Sequence, residues 1–144
     1  MNIQKILFPV DLTEFSESAA KHVGAMAALF NAKIAIVHAV EDPLKWYGSP
    51  NPIKTVETDL PKALEHDEKA VRAFAQSHFA NRNVAITSEL ADPLELIERT
   101  ANAIKADLIM MPTHGRGRFR AALLGSLTAE VLHDLAVPVW TAVH

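Results

Sequence analysis

Residues 106–140 read ADLIMMPTHGRGRFRAALLGSLTAEVLHDLAVPVW. The apolar run Leu108, Ile109, Met110 and Met111 stops at Pro112, and a loop rich in glycine and arginine follows. Helical spacing begins near Ser126 and extends to about residue 136. Val137, Val139, Trp140 and Val143 then form a second β-rich run. A strand, a helix and a strand in succession predict a βαβ unit with parallel strands. Strands that are apolar throughout fit such a sheet, because helices bury both of its faces.

The alternation continues toward the N-terminus. Ile6, Leu7, Phe8 and Val10 form a first strand ending at Asp11, and Thr13 is placed to cap the helix that follows. Ala19, Val23, Met26, Ala27 and Phe30 recur at helical spacing. Ile34, Ile36 and Val37 begin a second strand that runs to Val40, and a helix is expected over 60–80 with Val71, Phe74, Ala75 and His78 on one side. Val84, Ile86 and Leu90 mark a third, weaker strand. Asp92-Pro93-Leu94-Glu95 reads as an N-cap, a proline at the first helical position and a glutamate closing a capping box. Leu94, Ile97, Ala101 and Ile104 give that helix its apolar stripe. The pattern predicts an α/β fold with one open five-stranded parallel sheet, helices on both faces, and residues 1–144 as a single domain without internal repeats. Residues 41–59 hold three of the eight prolines and make an unusually long connection, which in compact domains is usually functional or mobile.

Composition narrows the function. The 144 residues are 49% apolar and 22% charged, ordinary values for a globular chain. A net charge of −3 gives no electrostatic reason to expect nucleic-acid binding. With no cysteine there is no disulfide framework, thiol nucleophile or cysteine-built metal site. No apolar run is long enough to cross a bilayer, and MNIQKILFPVDL turns polar at Asp11 without a small-residue cleavage site. The expectation is a cytoplasmic protein with no membrane partner.

The chemistry concentrates in residues 112–126. Glycines let a backbone approach a ligand with its N–H groups turned inward. The helix beginning near Ser126 adds N–H donors and a partial positive charge. Ser126 and Thr128 add hydroxyls, and Arg116, Arg118 and Arg120 add positive charge. Two readings remain open: a phosphate cradle, or a tight turn with a solvated basic flank. The loop is neither a Walker A motif, whose lysine is missing, nor a Rossmann Gly-x-Gly-x-x-Gly. Ligands of open α/β sheets bind beyond the carboxyl ends of strands where the strand order reverses. If Asp11 and the 112–126 loop share one site, the first and fourth strands are neighbours, which selects the order 3-2-1-4-5 over 2-1-3-4-5. Asp11 is then either a ribose acceptor or a cap for the turn before the first helix.

Other chemistries find little support. The seven histidines contain no His-Glu-x-x-His, and no Gly-x-Ser-x-Gly elbow is present. His66 reads as part of a solvated helix face, and His22, His78 and His133 as helix residues with structural or surface roles. His114 reads as a brace for the glycine loop rather than as a phosphate ligand.

The stretches KILFPVDLTEFSESAA (5–20), IAIVHAVED (34–42) and 106–140 resemble the universal stress protein family over essentially the whole chain. The nucleotide-binding branch carries Gly-x-x-Gly, nine residues, then Gly-Ser/Thr; Gly115, nine intervening residues, Gly125 and Ser126 match it, while Pro112 replaces the first glycine. The resemblance implies a Rossmann-like (adenine nucleotide alpha hydrolase-like) fold and an ATP site. Pro9, Val10 and Asp11 would line the adenosine pocket, Ala39 would face the adenine edge, and Met111 and Pro112 would pack beside the adenosine. Gly115, Arg116, Gly125, Ser126, Leu127 and Thr128 would surround the phosphates, with Mg²⁺ carried by the nucleotide. It further implies a homodimer through the last strand, at Val137, Pro138, Val139 and Trp140. The function implied is that of a cytoplasmic stress-response regulator or sensor with an unknown protein partner, at most a slow ATPase. The alternative is a nucleotide-free dimeric interaction module of the same fold, for which Pro112 speaks. An adenylate-forming or sulfur-transfer enzyme would carry Ser-Gly-Gly after the first strand, where this chain has Pro9-Val10-Asp11-Leu12-Thr13.

Overall fold

The structure is a computed structural model describing residues 2–40, 60–113 and 126–142. In chain order it contains β1 (Lys5–Pro9), α1 (Glu14–Phe30), β2 (Lys33–Val40), α2 (Leu60–Phe79), β3 (Val84–Leu90), α3 (Pro93–Ile104), β4 (Leu108–Pro112), α4 (Ser126–Asp134) and β5 (Val139–Ala142). The five strands form one parallel sheet in the order β3-β2-β1-β4-β5, as the sequence predicts. The 41–59 connection lies outside the described residues.

Side chains alternate along each strand and so feed two cores. On one face Ile6, Phe8, Ile34, Ile36, Leu108 and Met110 pack against Ala19, Val23 and Ala27 of α1 and Val71, Phe74, Ala75 and Phe79 of α2. Phe8 is fully buried there, with ring centroids 6.1 Å from Phe74 and 6.2 Å from Phe79. On the other face Leu7, Val37, Ile109 and Met111 pack against Leu96, Ile97 and Ala101 of α3 and Val131 of α4. Complete burial of one such large side chain is worth about 1.5–3 kcal/mol.

The helix stripes depart from the expected ones at their margins. On α2 the buried position goes to Phe79, and His78 is exposed, its ring 4.5 Å from that of Phe74 at the rim of the core. Phe30, the last residue of α1, is also exposed. Leu96 joins the α3 stripe, while Leu94 and Ile104 sit at its edge. Strand β5 starts at Val139 rather than Val137, since Pro138 offers only a carbonyl, which accepts from the Ile109 N–H at 2.9 Å.

Helix ends are closed by local chemistry. The Asp92 carboxylate accepts from the Glu95 N–H at 3.1 Å and caps α3, with Pro93 just inside. Asn31 ends α1 with φ 52°, a left-handed conformation that asparagine tolerates. Lys5 Nζ donates to the Ile104 carbonyl at 2.8 Å, placing a cation on the last carbonyls of α3. Asp107 Oδ2 accepts from the N–H groups of Gln4 and Lys5, at 2.9 Å each, and so ties the start of β1 to that of β4.

Candidate functional site

Two prolines open the sheet at the point where its order reverses. The Val10 N–H bonds to the Val37 carbonyl at 2.9 Å, so the even-numbered amides of β1 face β2 and position 9 faces β4. The Ile109 N–H bonds to the Pro138 carbonyl, so the odd-numbered amides of β4 face β5 and position 112 faces β1. Pro9 and Pro112 thus occupy the two facing positions whose N–H groups would extend the β1–β4 ladder, and neither has one. The β1–β4 register ends at Leu7↔Ile109, whereas β1 stays paired with β2 through Pro9↔Val37. Ligands of this architecture bind in the crevice that such a parting leaves.

On the β1 side, Asp11 organises the turn into α1. Its Oδ1 accepts from the Thr13 N–H at 3.0 Å, Thr13 Oγ1 at 2.6 Å and Ser16 Oγ at 2.7 Å. Ser16 Oγ in turn accepts from the Asp11 N–H at 3.0 Å and is fully buried. Thr13 occupies the N-cap of α1 but makes no side-chain cap bond, because its hydroxyl is turned back to Asp11. Between them Leu12 has φ 61°, a conformation that costs a non-glycine residue on the order of 1–3 kcal/mol. The bonds on either side of Leu12 hold that strained step in place.

On the β4 side, Met111 and Pro112 are buried, and Thr128 Oγ1 in the first turn of α4 donates to the Pro112 carbonyl at 3.1 Å. Thr128 is itself buried, so this bond fixes the N-terminus of α4 against the end of β4. Leu127 is half-buried on the α3 and α4 side of the sheet. Ser126 is the first residue of α4.

The sequence-predicted residues Pro9, Val10, Asp11, Met111, Pro112, Ser126, Leu127 and Thr128 therefore lie on the ends of β1 and β4 and the helix turns that follow them. Ala39 stands apart: its side chain packs toward the α3 and α4 side, and its backbone is in register with Glu89 of β3. Gly115, Arg116 and Gly125, with His114, fall outside the described residues. Two shallow grooves run along the sheet edges, about 220 Å³ between α1 and Trp140 and about 350 Å³ between α2 and β3. Neither is lined by a crevice residue.

Sequence reasoning passed over Ser16 and His38. His38 is buried in β2, with Nδ1 2.9 Å from the Val10 carbonyl. Its signal was available: Ile34, Ile36, His38 and Val40 alternate onto one face, which puts a histidine at a core position.

Comparison with known proteins settles the class. Residues 2–142 match the universal stress protein family, and the chain belongs to it. A universal stress protein of Thermus aquaticus is 32% identical, over 93% of this chain and 94% of its own. Universal stress protein MJ0577 of Methanocaldococcus jannaschii is 27% identical, over 94% of this chain and 92% of its own. The solved structure of MJ0577 superposes with a TM-score of 0.80 at 24% identity, over 99% of this chain and 96% of that one. A universal stress protein solved in complex with cAMP shares the fold with a TM-score of 0.62 at 21% identity, over 100% of this chain and 98% of that one.

Proposed function

We propose that this chain, acting as one domain, binds ATP across the β1–β4 crevice and serves as a cytoplasmic stress-response regulator or sensor. The observation that carries the reading is the parting of β1 from β4 after Leu7↔Ile109, with Asp11 beyond one strand and the N-terminus of α4 beyond the other. Asp11 would accept from the ribose hydroxyls. Pro9, Val10, Met111 and Pro112 would pack along the adenosine, and the Ala39 backbone would meet the adenine edge. Ser126, Leu127 and Thr128 open α4, whose N–H groups and partial positive charge suit a phosphate. Gly115, Arg116 and Gly125 would complete the cradle, and Mg²⁺ would arrive on the nucleotide. A relative solved with cAMP is in keeping with an adenine nucleotide as the ligand class. The 112–126 sequence has no Walker lysine, so hydrolysis would be slow at most. A homodimer is part of the reading: β5 is an edge strand paired only with β4 among the described residues, and such an edge is a template for pairing.

Mg-ATP at 100 times its dissociation constant should add about 2.7 kcal/mol of stability. For a chain of this size that raises the thermal unfolding midpoint by about 5–10 °C. The same concentration of Mg-GTP should leave the midpoint within about 1 °C of the ligand-free value, given an adenine-selective pocket. A midpoint indifferent to both nucleotides refutes the reading and favours the nucleotide-free dimeric module, the alternative supported by the N–H that Pro112 removes.

A further inference from the structure

Two backbone carbonyls between β1 and β4 lack the donors that a parallel ladder supplies. The Val10 N–H points to β2, where it bonds to the Val37 carbonyl at 2.9 Å. The Pro9 carbonyl belongs to the same planar trans peptide and so points the opposite way, toward β4. A ladder continuing in register past Leu7↔Ile109 would bond the N–H of position 9 to the Met110 carbonyl, and the N–H of position 112 to the Pro9 carbonyl. Both positions are proline. Pro9 and Met110 are buried, and among the described residues no turn, loop or side-chain hydrogen bond reaches either carbonyl.

The chain itself meets the carbonyls next in line. The Val10 carbonyl lies 2.9 Å from His38 Nδ1, and the Pro112 carbonyl accepts from Thr128 Oγ1 at 3.1 Å. A buried carbonyl is rarely left unpaired, because it has given up its bond to water. The gap between the strand ends is therefore rich in acceptors and short of donors. The Met110 carbonyl lies deeper between the strands. The Pro9 carbonyl is the outer one, just ahead of Asp11, whose carboxylate also only accepts when ionised. The group that suits this pair is a donor brought from outside the chain.

We infer that Pro112 is a specificity-determining residue: by withholding an N–H from the Pro9 carbonyl, it leaves that carbonyl to accept from a hydroxyl of the ligand, and the crevice selects a sugar with a free diol. Asp11 takes one hydroxyl of the diol and the Pro9 carbonyl takes the other. Any other residue at position 112 carries an N–H that competes with the ligand for the Pro9 carbonyl. The ligand half of this inference rests on the nucleotide reading above; the direction of the Pro9 carbonyl and the bond it can accept do not.

The test compares Mg-ATP with its 2′,3′-dideoxy analogue on the wild-type protein and on Pro112→Ala. In the ligand-free variant the new N–H at position 112 should bond to the Pro9 carbonyl. Slowed amide exchange and a through-hydrogen-bond coupling from that ¹⁵N to the Pro9 ¹³C′ would show it. The preference for ATP over the dideoxy nucleotide should fall about three- to tenfold in the variant, the worth of one hydrogen bond. A ratio of affinities cancels any packing change that both nucleotides feel, so a merely structural role for Pro112 would not move it. In the wild-type protein, which needs no variant to fold, the Pro9 ¹³C′ signal should move downfield with ATP and not with the dideoxy nucleotide. A freely exchanging amide without the coupling overturns the direction of the carbonyl. A protected amide with an unchanged preference overturns the link to the ligand, as does a Pro9 ¹³C′ signal that responds alike to both nucleotides. Absence of wild-type binding to either nucleotide at millimolar concentration is a failure of the nucleotide reading and takes the ligand half with it; the coupling in the variant then decides the ladder half alone.

Discussion

Asp11→Ala should weaken ATP binding by about 10- to 100-fold, the effect of losing one hydrogen bond to a charged group. It should also lower unfolding free energy by about 1–3 kcal/mol, because the fully buried Ser16 hydroxyl loses its acceptor. The two effects are separable. Asp11→Asn keeps a carbonyl oxygen for the bonds from Thr13 and Ser16 but puts an amide N–H₂ donor where the other carboxylate oxygen stood. It should therefore stay within about 1 kcal/mol of wild-type stability while binding ATP at least about tenfold more weakly. Urea denaturation and isothermal titration read the two quantities. Unchanged ATP affinity in both variants would place the ribose elsewhere and leave Asp11 as the organiser of the α1 turn alone.

Phe8→Ala should cost about 3–5 kcal/mol, the largest effect of a single side chain expected in this fold. Phe8 is fully buried at the centre of the sheet, and its ring meets Phe74 and Phe79 of α2. Truncation removes the transfer free energy of the ring and leaves a cavity that a rigid parallel sheet cannot close. Against the 5–15 kcal/mol typical of domains, the variant should unfold at a far lower urea midpoint with an unchanged slope. A loss below about 1.5 kcal/mol would mean that α2 collapses into the space, and that it is held less firmly than the packing of its phenylalanines indicates.

The architecture was readable because each strand advertises itself twice, by continuous apolar residues and by a polar stop. Asp11 after β1 and the glycine-rich 112–126 segment after β4 make those strands neighbours if both serve one site, and the observed order is the one that this condition selects. Less legible was the choice between equivalent positions at a core rim, as between His78 and Phe79, where the outcome depends on which helix face the sheet meets. The crevice was half legible. Asp11 was visible as a carboxylate at a strand end, yet its two local readings were alternatives on paper, and in the structure it organises the turn through Thr13 and Ser16. In the sequence Pro112 stands out as the residue that replaces the motif's first glycine. Its pairing with Pro9 across the β1–β4 gap emerges only once the direction of each amide is known, which a sequence does not display. His38 was missed for a related reason: its alternation with Ile34 and Ile36 marks a core position but names no partner, and its partners Val10 and Asp67 are 28 and 29 residues away.

The most direct measurement is an amide chemical-shift map of the ¹⁵N-labelled protein titrated with Mg-ATP. The account predicts saturable shifts at Val10, Asp11, Thr13, Met111, Thr113, Leu127 and Thr128, on both sides of the parted strands. Amides lining the groove between α2 and β3, such as Gln76, Arg82 and Asn83, should stay still. Shifts confined to either edge groove, or none at millimolar Mg-ATP, would contradict a nucleotide site at the β1–β4 crevice.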